Sequence, residues 1–443
     1  WDITVPCNTT ADVYLPDGKV ETVGSGDYHY SVEIPTRDAA ILKDEFLYDY
    51  SGFPSAHAST ITQLKNGDLV AAYFGGTFER NPDVCIWVSR KPKGAKTWEK
   101  PILAADGVYR LGTPEAKKAG LSGIDEKTTP ADKGPIKDGL RRFGVPAGYK
   151  YDFRSKSANI KLPANLKRKS CWNPVLYTMP DGEIWLFYKV GSTVGDWTGC
   201  LVKSKDGGKT WSDPEALPDG FLGPIKNKPE MVNGRLICGS STENKGWRFH
   251  VEILDLKTRK WKYVGPLDAE LKPRTYDVDS ATVDMQHPIY KEGEKARYIY
   301  SIQPSILKLK DGRLQVLMRT HNAKLATSFS SGGGDTWTPV TLLDIENNHS
   351  GTDAGTLKDG RHVLIYNNFE TLPGTKKGPR TPLSLAISDD GTHWRHLLTL
   401  EDSPINQYSY PGIIEGKDGK LHCIYTWRRQ RVAYKEVDLK KIK

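Results

Sequence analysis

The chain has 443 residues, of which 26% are charged, 37% hydrophobic and 10% aromatic, and its formal net charge is +9. This composition argues against a disordered chain, and no apolar run is long enough for a membrane-spanning helix. Twelve tryptophans beside 42 glycines and 28 prolines favour a β-rich, turn-rich fold. The six cysteines lie far apart without a C-x-x-C pair, so neither a zinc ribbon nor a dense disulfide framework is expected.

Residues 1–40 differ from the rest of the chain, and we predict that they form a β-strand tail or linker. They contain the runs Val5–Pro16 and Val23–Tyr30. These runs resemble the closing β-strands of bacterial α-L-rhamnosidases. The resemblance implies that the chain is the C-terminal part of a larger multimodular protein, with an ordinary strand-forming arm as the alternative.

One sequence unit recurs through residues 41–443. Six Asn-Gly or Asp-Gly pairs are each followed by an apolar, strand-like run, and such pairs favour two-residue hairpin turns with positive φ. The runs are continuously apolar rather than alternating, which predicts strands that are covered on both faces. The pairs are Asn66-Gly67, Asp181-Gly182, Asn233-Gly234, Asp311-Gly312, Asp359-Gly360 and Asp418-Gly419.

A second repeated motif follows most of these turns. Ser204–Trp211 fits the Asp-box pattern S-x-D-x-G-x-T-W, and Ser89–Trp98, Ser330–Trp337 and Ser388–Trp394 are degenerate versions of it. In such a box the aspartate caps a tight turn and the tryptophan packs between blades. The two repeats together predict an all-β fold, a β-propeller of six blades, with a seventh blade within residues 266–300 as the alternative.

Residues 105–170 interrupt the repeat. They are rich in lysine, arginine, glycine and proline. We interpret them as a long basic insertion on one blade connection, which is either a solvated loop or a wall over the site.

Several short phrases carry a resemblance to a known family. They are His57–Thr60, Gly75–Asp83, Cys171–Pro174, Gly223–Pro229, Gln303–Ser305 and Gln407–Pro411. These phrases resemble the sialidase superfamily, especially its exo-α-sialidase-like branch. The resemblance implies that residues 41–443 are a propeller catalytic domain, although propellers carry many chemistries.

The resemblance also implies a set of site residues. Sialidases hold the substrate carboxylate with three arginines and use a Tyr–Glu nucleophile pair with an aspartate as acid/base. Arg319 and Arg380 match the second and third arginines, and Tyr408 matches the tyrosine. His57 stands where the first arginine is expected, and Gln303 stands where the glutamate is expected. A glutamine cannot take the proton of the tyrosine, so sialidase activity in the strict sense is not expected.

A carboxylate clamp combined with a histidine and a tyrosine fits β-elimination at a uronic acid. Arginines make the C5 proton more acidic, His57 serves as general base or acid, and Tyr408 is its partner. Resemblance to related propellers implies exo-cleavage at a terminal L-rhamnose–α-1,4-glucuronic acid linkage. The alternatives are a hydrolytic exo-glycosidase, rhamnosidase or sialidase-like, and a non-catalytic glycan-binding propeller.

Other polar residues near strand starts are candidates for substrate binding, with hydrogen-bonded or ion-paired core roles as the alternative. These candidates are Arg80, Asp83, Asn173, Lys226, Asn227, Gln303 and His321. His250, His321 and His349 lack metal-ligand spacing, so no catalytic metal is expected, no cofactor is required and a structural calcium stays open. The positive charge fits an acidic polysaccharide or oligosaccharide rather than nucleic acid or a membrane, and we expect a secreted or periplasmic protein.

Overall fold

The fold is a ring of antiparallel sheets. The computed structural model describes residues 2–15, 19–31, 38–49, 51–107, 169–243, 246–267, 299–370, 378–404 and 407–442. Within these residues six four-stranded sheets follow one another along the chain as a six-bladed β-propeller, which confirms the all-β prediction and the six blades. The predicted insertion at 105–170 and the alternative seventh blade at 266–300 lie almost wholly outside the described residues. No helix in the described ranges is both long and apolar enough to cross a membrane.

Each blade has its innermost strand first. Blade 1 is β6 (Ser55–Gln63), β7 (Leu69–Gly76), β8 (Cys85–Lys91) and β9 (Ile102–Ala105). Blade 2 is β10 (Ser170–Thr178), β11 (Ile184–Gly191), β12 (Thr198–Ser204) and β13 (Glu215–Ala216). Blade 3 is β14 (Glu230–Val232), β15 (Arg235–Thr242), β16 (Arg248–Asp255) and β17 (Trp261–Val264).

The second half of the ring repeats this order. Blade 4 is β18 (Ser301–Lys308), β19 (Leu314–Thr320), β20 (Lys324–Ser330) and β21 (Thr341–Glu346). Blade 5 is β22 (Asp353–Thr356), β23 (His362–Tyr366), β24 (Leu383–Ser388) and β25 (Arg395–Glu401). Blade 6 is β26 (Tyr408–Glu415), β27 (Leu421–Trp427), β28 (Arg431–Val437) and, from the other end of the chain, β5 (Ile41–Phe46).

The ring is closed by pairing between the two ends of the propeller sequence. Strand β5 runs antiparallel to β28, with Asp44 opposite Lys435. The tail before β5 forms two separate two-stranded sheets, β1 (Asp2–Val5) with β4 (Gly26–His29) and β2 (Ala11–Tyr14) with β3 (Val20–Val23). Closure by β5 leaves blade 6 without an unpaired outer edge on β28.

The apolar core consists of six clusters, one between each pair of adjacent blades. Neighbouring residues of a strand belong to different clusters because side chains alternate across a sheet. In β15, for example, Leu236 and Cys238 pack toward blade 2, whereas Ile237 packs toward blade 4. Both faces of each middle strand are therefore buried, as the continuous apolar runs predict.

The glycine pairs connect the first and second strands of every blade, but most of the turns are longer than predicted. Only Asn233-Gly234 is a two-residue turn with both residues at positive φ, since Val232 pairs directly with Arg235. In blade 1 the pairing of Gln63 with Leu69 leaves five residues in the loop, and the Gly67 N–H donates to the Leu64 carbonyl. The same backbone hydrogen bond occurs in the turns of blades 2, 4, 5 and 6, where only the glycine has positive φ.

The Asp-box turn at Ser204–Trp211 is built as the sequence predicts. Asp206 Oδ1 accepts hydrogen bonds from the backbone N–H groups of Lys209 and Thr210, and Oδ2 accepts one from the Thr210 hydroxyl. These bonds outweigh the effect of burial and lower the pKa of Asp206 to about 2. Trp211 packs against the cluster between blades 1 and 2, so the box joins neighbouring blades.

A buried lysine ties blade 2 to the segment that leads into blade 3. The Lys189 ammonium on β11 donates to the backbone carbonyls of Asn173, Pro224 and Ile225, the last at 3.0 Å. Burial lowers the pKa of Lys189 to about 7, and Glu252 acts weakly in the opposite direction. The unfolded chain therefore binds more protons between pH 7 and the ordinary lysine pKa, so stability rises with pH in that window.

We expect the change Lys189→Met to lower the free energy of unfolding by about 1–3 kcal/mol, because it leaves buried carbonyls without a donor. It should also make the rise in stability from about pH 7 to about pH 10 shallower. Urea unfolding at both pH values measures the two effects, and Lys205→Met, on an exposed lysine, is the control that should change neither. An unchanged slope in the Lys189 variant would contradict the assignment.

Candidate active site

The candidate site lies at the hub, the end of the propeller axis where the innermost strands begin. Register shifts in these strands determine which side chains point toward the axis. Strands β6, β10, β18 and β26 each shift register near their first residues. One residue in each shift has positive φ, and these are Ala58, Asn173, Gln303 and Tyr410. A bulge bends the strand and redirects side chains, and non-glycine residues with positive φ are often found at functional sites. Four blades thus present side chains at one end of the propeller axis.

Tyr410 stands at the centre of this group. Its hydroxyl oxygen accepts hydrogen bonds from Arg319 Nη1 at 2.8 Å and from Gln303 Nε2 at 3.2 Å. The His57 ring lies 4.1 Å from the Tyr410 ring between centroids, and the Arg380 guanidinium carbon lies 5.5 Å from it. The structure therefore brings the predicted residues His57, Gln303, Arg319 and Arg380 together around Tyr410.

Arg319 is held on two sides in the buried interior of the site. Its Nη1 also donates to Gln303 Oε1 at 3.3 Å, and its guanidinium lies 4.6 Å from the Trp247 ring. The Nε atom is buried and has no hydrogen-bond partner among the described residues. Arg319 is thus fixed in orientation while one donor remains for a ligand.

His57 is buried and has one ring nitrogen without a partner in the described part of the chain. Nδ1 lies 2.8 Å from the Thr426 hydroxyl, whereas Nε2 has no hydrogen-bond partner there. Burial lowers the pKa of His57 well below its usual range, and the positive charges of Arg429 and Arg380 add to this effect. At neutral pH the imidazole is therefore uncharged, which is the form that accepts a proton.

A third arginine joins the site from the hairpin between β27 and β28. Arg429 Nη1 pairs with Glu79 at 2.6 Å, and Arg429 acts electrostatically on both His57 and Arg380. Arg380 Nη1 donates to Gln407 at 3.3 Å and to Ser409 at 3.4 Å. Burial lowers the pKa of Arg380 to about 10; Tyr410 opposes this effect and the neighbouring arginines reinforce it.

Two carboxyl groups with opposite pKa shifts lie near the arginines. Burial raises the pKa of Glu243, and Arg319 opposes this effect. For Glu79 burial also acts to raise the pKa, but Arg429 reverses the direction and the net pKa is lowered. Glu243 Oε1 is buried and without a hydrogen-bond partner in the described ranges. Separated pKa values of this kind are typical of catalytic acid and base pairs.

Lys226 and Asn227 form the floor of the hub. The Lys226 ammonium donates to Asn227 Oδ1 at 2.9 Å and to the Thr352 carbonyl at 2.8 Å, and Asn227 donates to the Gln303 carbonyl at 2.9 Å. Burial lowers the pKa of Lys226 to about 7. These bonds join blades 3, 4 and 5 at the hub, and the sugar contacts of both side chains stay a prediction.

The Tyr408 side chain is directed away from the guanidinium groups of Arg319 and Arg380, although its backbone N–H donates to the Arg380 carbonyl at 2.8 Å. It is buried in the apolar cluster between blades 5 and 6, and its hydroxyl contacts Arg428 at 3.4 Å. The tyrosine at the hub is Tyr410, two residues later. The signal is the proline that follows the redirected residue: Asn173, Gln303 and Tyr410 each precede a proline. Alignment on that proline identifies Tyr410.

Three other predicted binding residues lie in or near the hub. Asn173 is buried at the β10 bulge. Asp83 is also buried, and it accepts hydrogen bonds from the backbone N–H and the hydroxyl of Thr77 at 2.8 and 2.7 Å, so it closes the loop between β7 and β8. Arg80 is exposed on that loop and acts electrostatically on Glu79.

His321 and His349 form a pair at the edge of the site. Their Nε2 atoms are 3.2 Å apart, and Trp247 lies against both rings. His250 lies elsewhere, 2.9 Å from Glu252. Among the described residues no group of three or more His, Cys, Asp or Glu is arranged to hold a metal ion.

The arrangement brings three guanidinium groups, a neutral imidazole and a phenol close together at the hub. It suits an anionic ligand, because arginine pairs well with carboxylates. The sequence did not single out Tyr410, Trp247, Glu79, Glu243 or Arg429. Arg429 is signalled only by an Arg-Arg pair at a hairpin, and nothing in the sequence around Trp247 and Glu243 indicates that they meet the hub.

Comparison with known proteins agrees with this fold. The NanB sialidase of Streptococcus pneumoniae superposes with a TM-score of 0.59 at 13% identity, over 91% of this chain and 71% of that chain. An α-L-arabinanase of Penicillium chrysogenum superposes with a TM-score of 0.53 at 16% identity, over 91% and 99%. At these identities the similarity establishes the fold alone.

Sequence comparison extends the similarity to a curated protein and to a family. The chain is 24% identical to the anhydrosialidase of Macrobdella decora over 164 residues, which is 33% of this chain and 21% of that protein. The match therefore spans about a fifth of the length of that relative. The profile of the BNR repeat-like domain matches residues 156–423, more than half of the chain. The chain thus belongs to the BNR repeat-like domain family, within the sialidase-like β-propellers.

Proposed function

We propose that this protein is a carbohydrate-active enzyme that cleaves the terminal L-rhamnose–α-1,4-glucuronic acid linkage by β-elimination and so releases the rhamnose. One observation carries the proposal: His57, Arg319 and Arg380 lie 4.1, 5.7 and 5.5 Å from the centre of the Tyr410 ring. The relatives named as sialidases support an acidic sugar as the ligand. Secretion and a place in a larger multimodular protein remain part of the proposal.

The arginines bind the glucuronate carboxylate in this scheme. Arg319 has a free Nε donor within the described structure, and Arg380 and Arg429 supply further positive charge. Neutralising the carboxylate stabilises the negative charge that develops when C5 loses its proton. The clamp therefore lowers the barrier to proton removal as well as holding the sugar.

The proton transfers fall to His57 and Tyr410. The C5 proton passes to His57 Nε2, the C4–O4 bond breaks, and a C4=C5 double bond forms. The departing O4 takes a proton from the Tyr410 hydroxyl. That hydroxyl oxygen already accepts bonds from Arg319 and Gln303, so its own hydrogen is directed away from them. The products are an unsaturated uronate and free rhamnose, and no redox partner is needed.

Gln303 argues against the sialidase route. A tyrosine nucleophile needs a partner that takes its proton, and the amide of Gln303 donates to Tyr410 instead. The Tyr410 hydroxyl is thus better placed as a proton donor than as a nucleophile.

Product analysis tests the proposal. The purified protein is incubated with a rhamnosyl-α-1,4-glucuronate oligosaccharide, and ultraviolet absorbance of the conjugated uronate is followed together with rhamnose release. We expect both signals to rise at equal rates. Rhamnose release without the absorbance would mean hydrolysis and would overturn the elimination step.

Hydrolysis is the second candidate, and the Glu79–Glu243 pair favours it. Glu243, with its raised pKa, would serve as the acid and Glu79, with its lowered pKa, as the base in a glycosidase. The change Glu243→Gln separates the two: a hydrolase loses about 10²- to 10⁴-fold in kcat, whereas the elimination scheme keeps its base and its acid. A non-catalytic glycan-binding propeller would bind the oligosaccharide and form no product, both as the wild-type protein and as the Glu243→Gln variant.

A further inference from the structure

A small cavity opens beside the hub between blades 2 and 3. Its volume is 190 Å³, and since a cavity of about 150 Å³ holds a benzene ring, there is room for a single sugar ring rather than a chain. Residues at its wall include Val194, Trp197, Phe221, Leu222 and Glu243. Ser241, another wall residue, accepts the backbone N–H of Gln303 at 3.4 Å, so the cavity adjoins the hub.

The wall combines aromatic and aliphatic surface with three hydroxyl groups and one carboxyl group, from Thr198, Ser241, Thr242 and Glu243. Trp197 and Phe221 provide aromatic surface, and Val194 and Leu222 add aliphatic surface. None of the described residues that line the cavity is Lys, Arg or His, in contrast to the hub. Pockets for small ligands typically combine such apolar walls with a few placed polar groups.

Two polar atoms on these wall residues lack partners. The Trp197 Nε1 donor and Glu243 Oε1 are buried and make no hydrogen bond within the described part of the molecule. Buried polar atoms are usually satisfied, so each calls for a ligand or water. A ring bearing hydroxyl groups supplies both a donor and an acceptor.

The wall is held in place before any ligand arrives. Trp197 packs on Trp172 at 5.4 Å between ring centroids, and a Cβ on Gly191 would come within 2.9 Å of the Trp197 ring, so the strand end must be glycine. On the opposite side Glu252 accepts the backbone N–H of Leu222 at 3.1 Å and that of Gly223 at 2.6 Å. A prearranged wall lowers the entropy lost on binding.

We propose that this cavity is the subsite for the leaving sugar, a neutral 6-deoxyhexose such as rhamnose, with its methyl group against Trp197 and Phe221. The inference rests on the proposed function for its place in the reaction, since the leaving oxygen O4 joins the two sugars. The absence of cations from the described wall selects against a second uronate. The room for one ring accounts for exo-cleavage.

Separate titrations with two monosaccharide probes test the subsite. Saturation-transfer NMR measures binding of methyl α-L-rhamnoside and of free glucuronate to the full chain. We expect Trp197→Ala to weaken rhamnoside binding by about tenfold or more, with glucuronate binding unchanged. Val194→Phe, which fills the cavity without removing a wall contact, should have the same effect, and Trp211→Ala is the matched control that changes neither.

The outcomes separate this inference from the proposed function. The proposed subsite is wrong if the rhamnoside does not bind at all. It is also wrong if rhamnoside binding is unchanged in both Trp197→Ala and Val194→Phe. If glucuronate does not bind while rhamnoside binding still depends on Trp197, the proposed carboxylate clamp is wrong, and the cavity is a binding site for a neutral sugar. Should Trp197→Ala fail to fold, the cavity-filling variant gives the decision alone.

Discussion

Replacement of His57 by alanine should lower kcat by about 10²- to 10⁴-fold, the usual contribution of a general base. The imidazole is neutral because of its burial and the surrounding arginines, and its Nε2 has no other partner in the described structure. Removal leaves the clamp in place, so KM should change much less than kcat. Steady-state rates on the rhamnose–glucuronate oligosaccharide measure both constants.

The exposed His396 offers a matched control. His396→Ala should leave kcat and KM unchanged, and thermal unfolding should show that the His57 variant is folded. A folded His57→Ala protein with wild-type kcat would rule out a catalytic role for this side chain.

The pH dependence of kcat provides an independent view of the same groups. Activity should persist below the ordinary histidine pKa of about 6.5 and fall only when the pH drops through the lowered pKa of His57, because protonation removes the base. On the alkaline side carboxylate binding should not weaken below about pH 10, because guanidinium groups stay charged there.

Tyr410→Phe should also lower kcat by about 10²- to 10⁴-fold, because the leaving oxygen loses its proton donor. Tyr408→Phe is an unusually close control. It removes the corresponding hydroxyl two residues away, which contacts Arg428 at 3.4 Å in the core between blades 5 and 6. Its kcat should remain within about twofold of wild type.

The comparison has a defined opposite result. If Tyr408→Phe lost activity and Tyr410→Phe kept it, the choice of Tyr408 from its resemblance to the sialidase tyrosine would be right, and the proposed role of Tyr410 would be wrong. Circular dichroism and unfolding curves for both variants show whether either loss is a loss of fold.

The fold was predictable because its signals are local and repeated. Each Asp-Gly or Asn-Gly pair, each Asp-box and each continuous apolar run depends on a few adjacent residues, and six repetitions identify a propeller. The turn type was not predictable in five blades, because loop length follows from strand register. Gln63 pairs with Leu69 through contacts that the pair Asn66-Gly67 does not specify.

The sequence predicted only those site residues whose type and position match the family pattern. Arg319 and His57 stand out in the sequence by charge and position, and the structure places both at Tyr410. Trp247 of blade 3 meets Arg319 of blade 4, and Arg429 of blade 6 acts on His57 of blade 1. These neighbours come together only in the closed ring, so sequence spacing gives no sign of them. The sequence pattern matched Tyr408, but the register shift after Ser409 in β26 turns the side chain of Tyr410 toward the hub instead.

A crystal structure of the His57→Ala protein with the rhamnose–glucuronate disaccharide tests the central assignment most directly. We predict the uronate carboxylate between Arg319 and Arg380, C5 facing the space left by the imidazole, and O4 within hydrogen-bond distance of the Tyr410 hydroxyl. A carboxylate bound elsewhere, or arginines turned away onto neighbouring acidic side chains, would contradict the account.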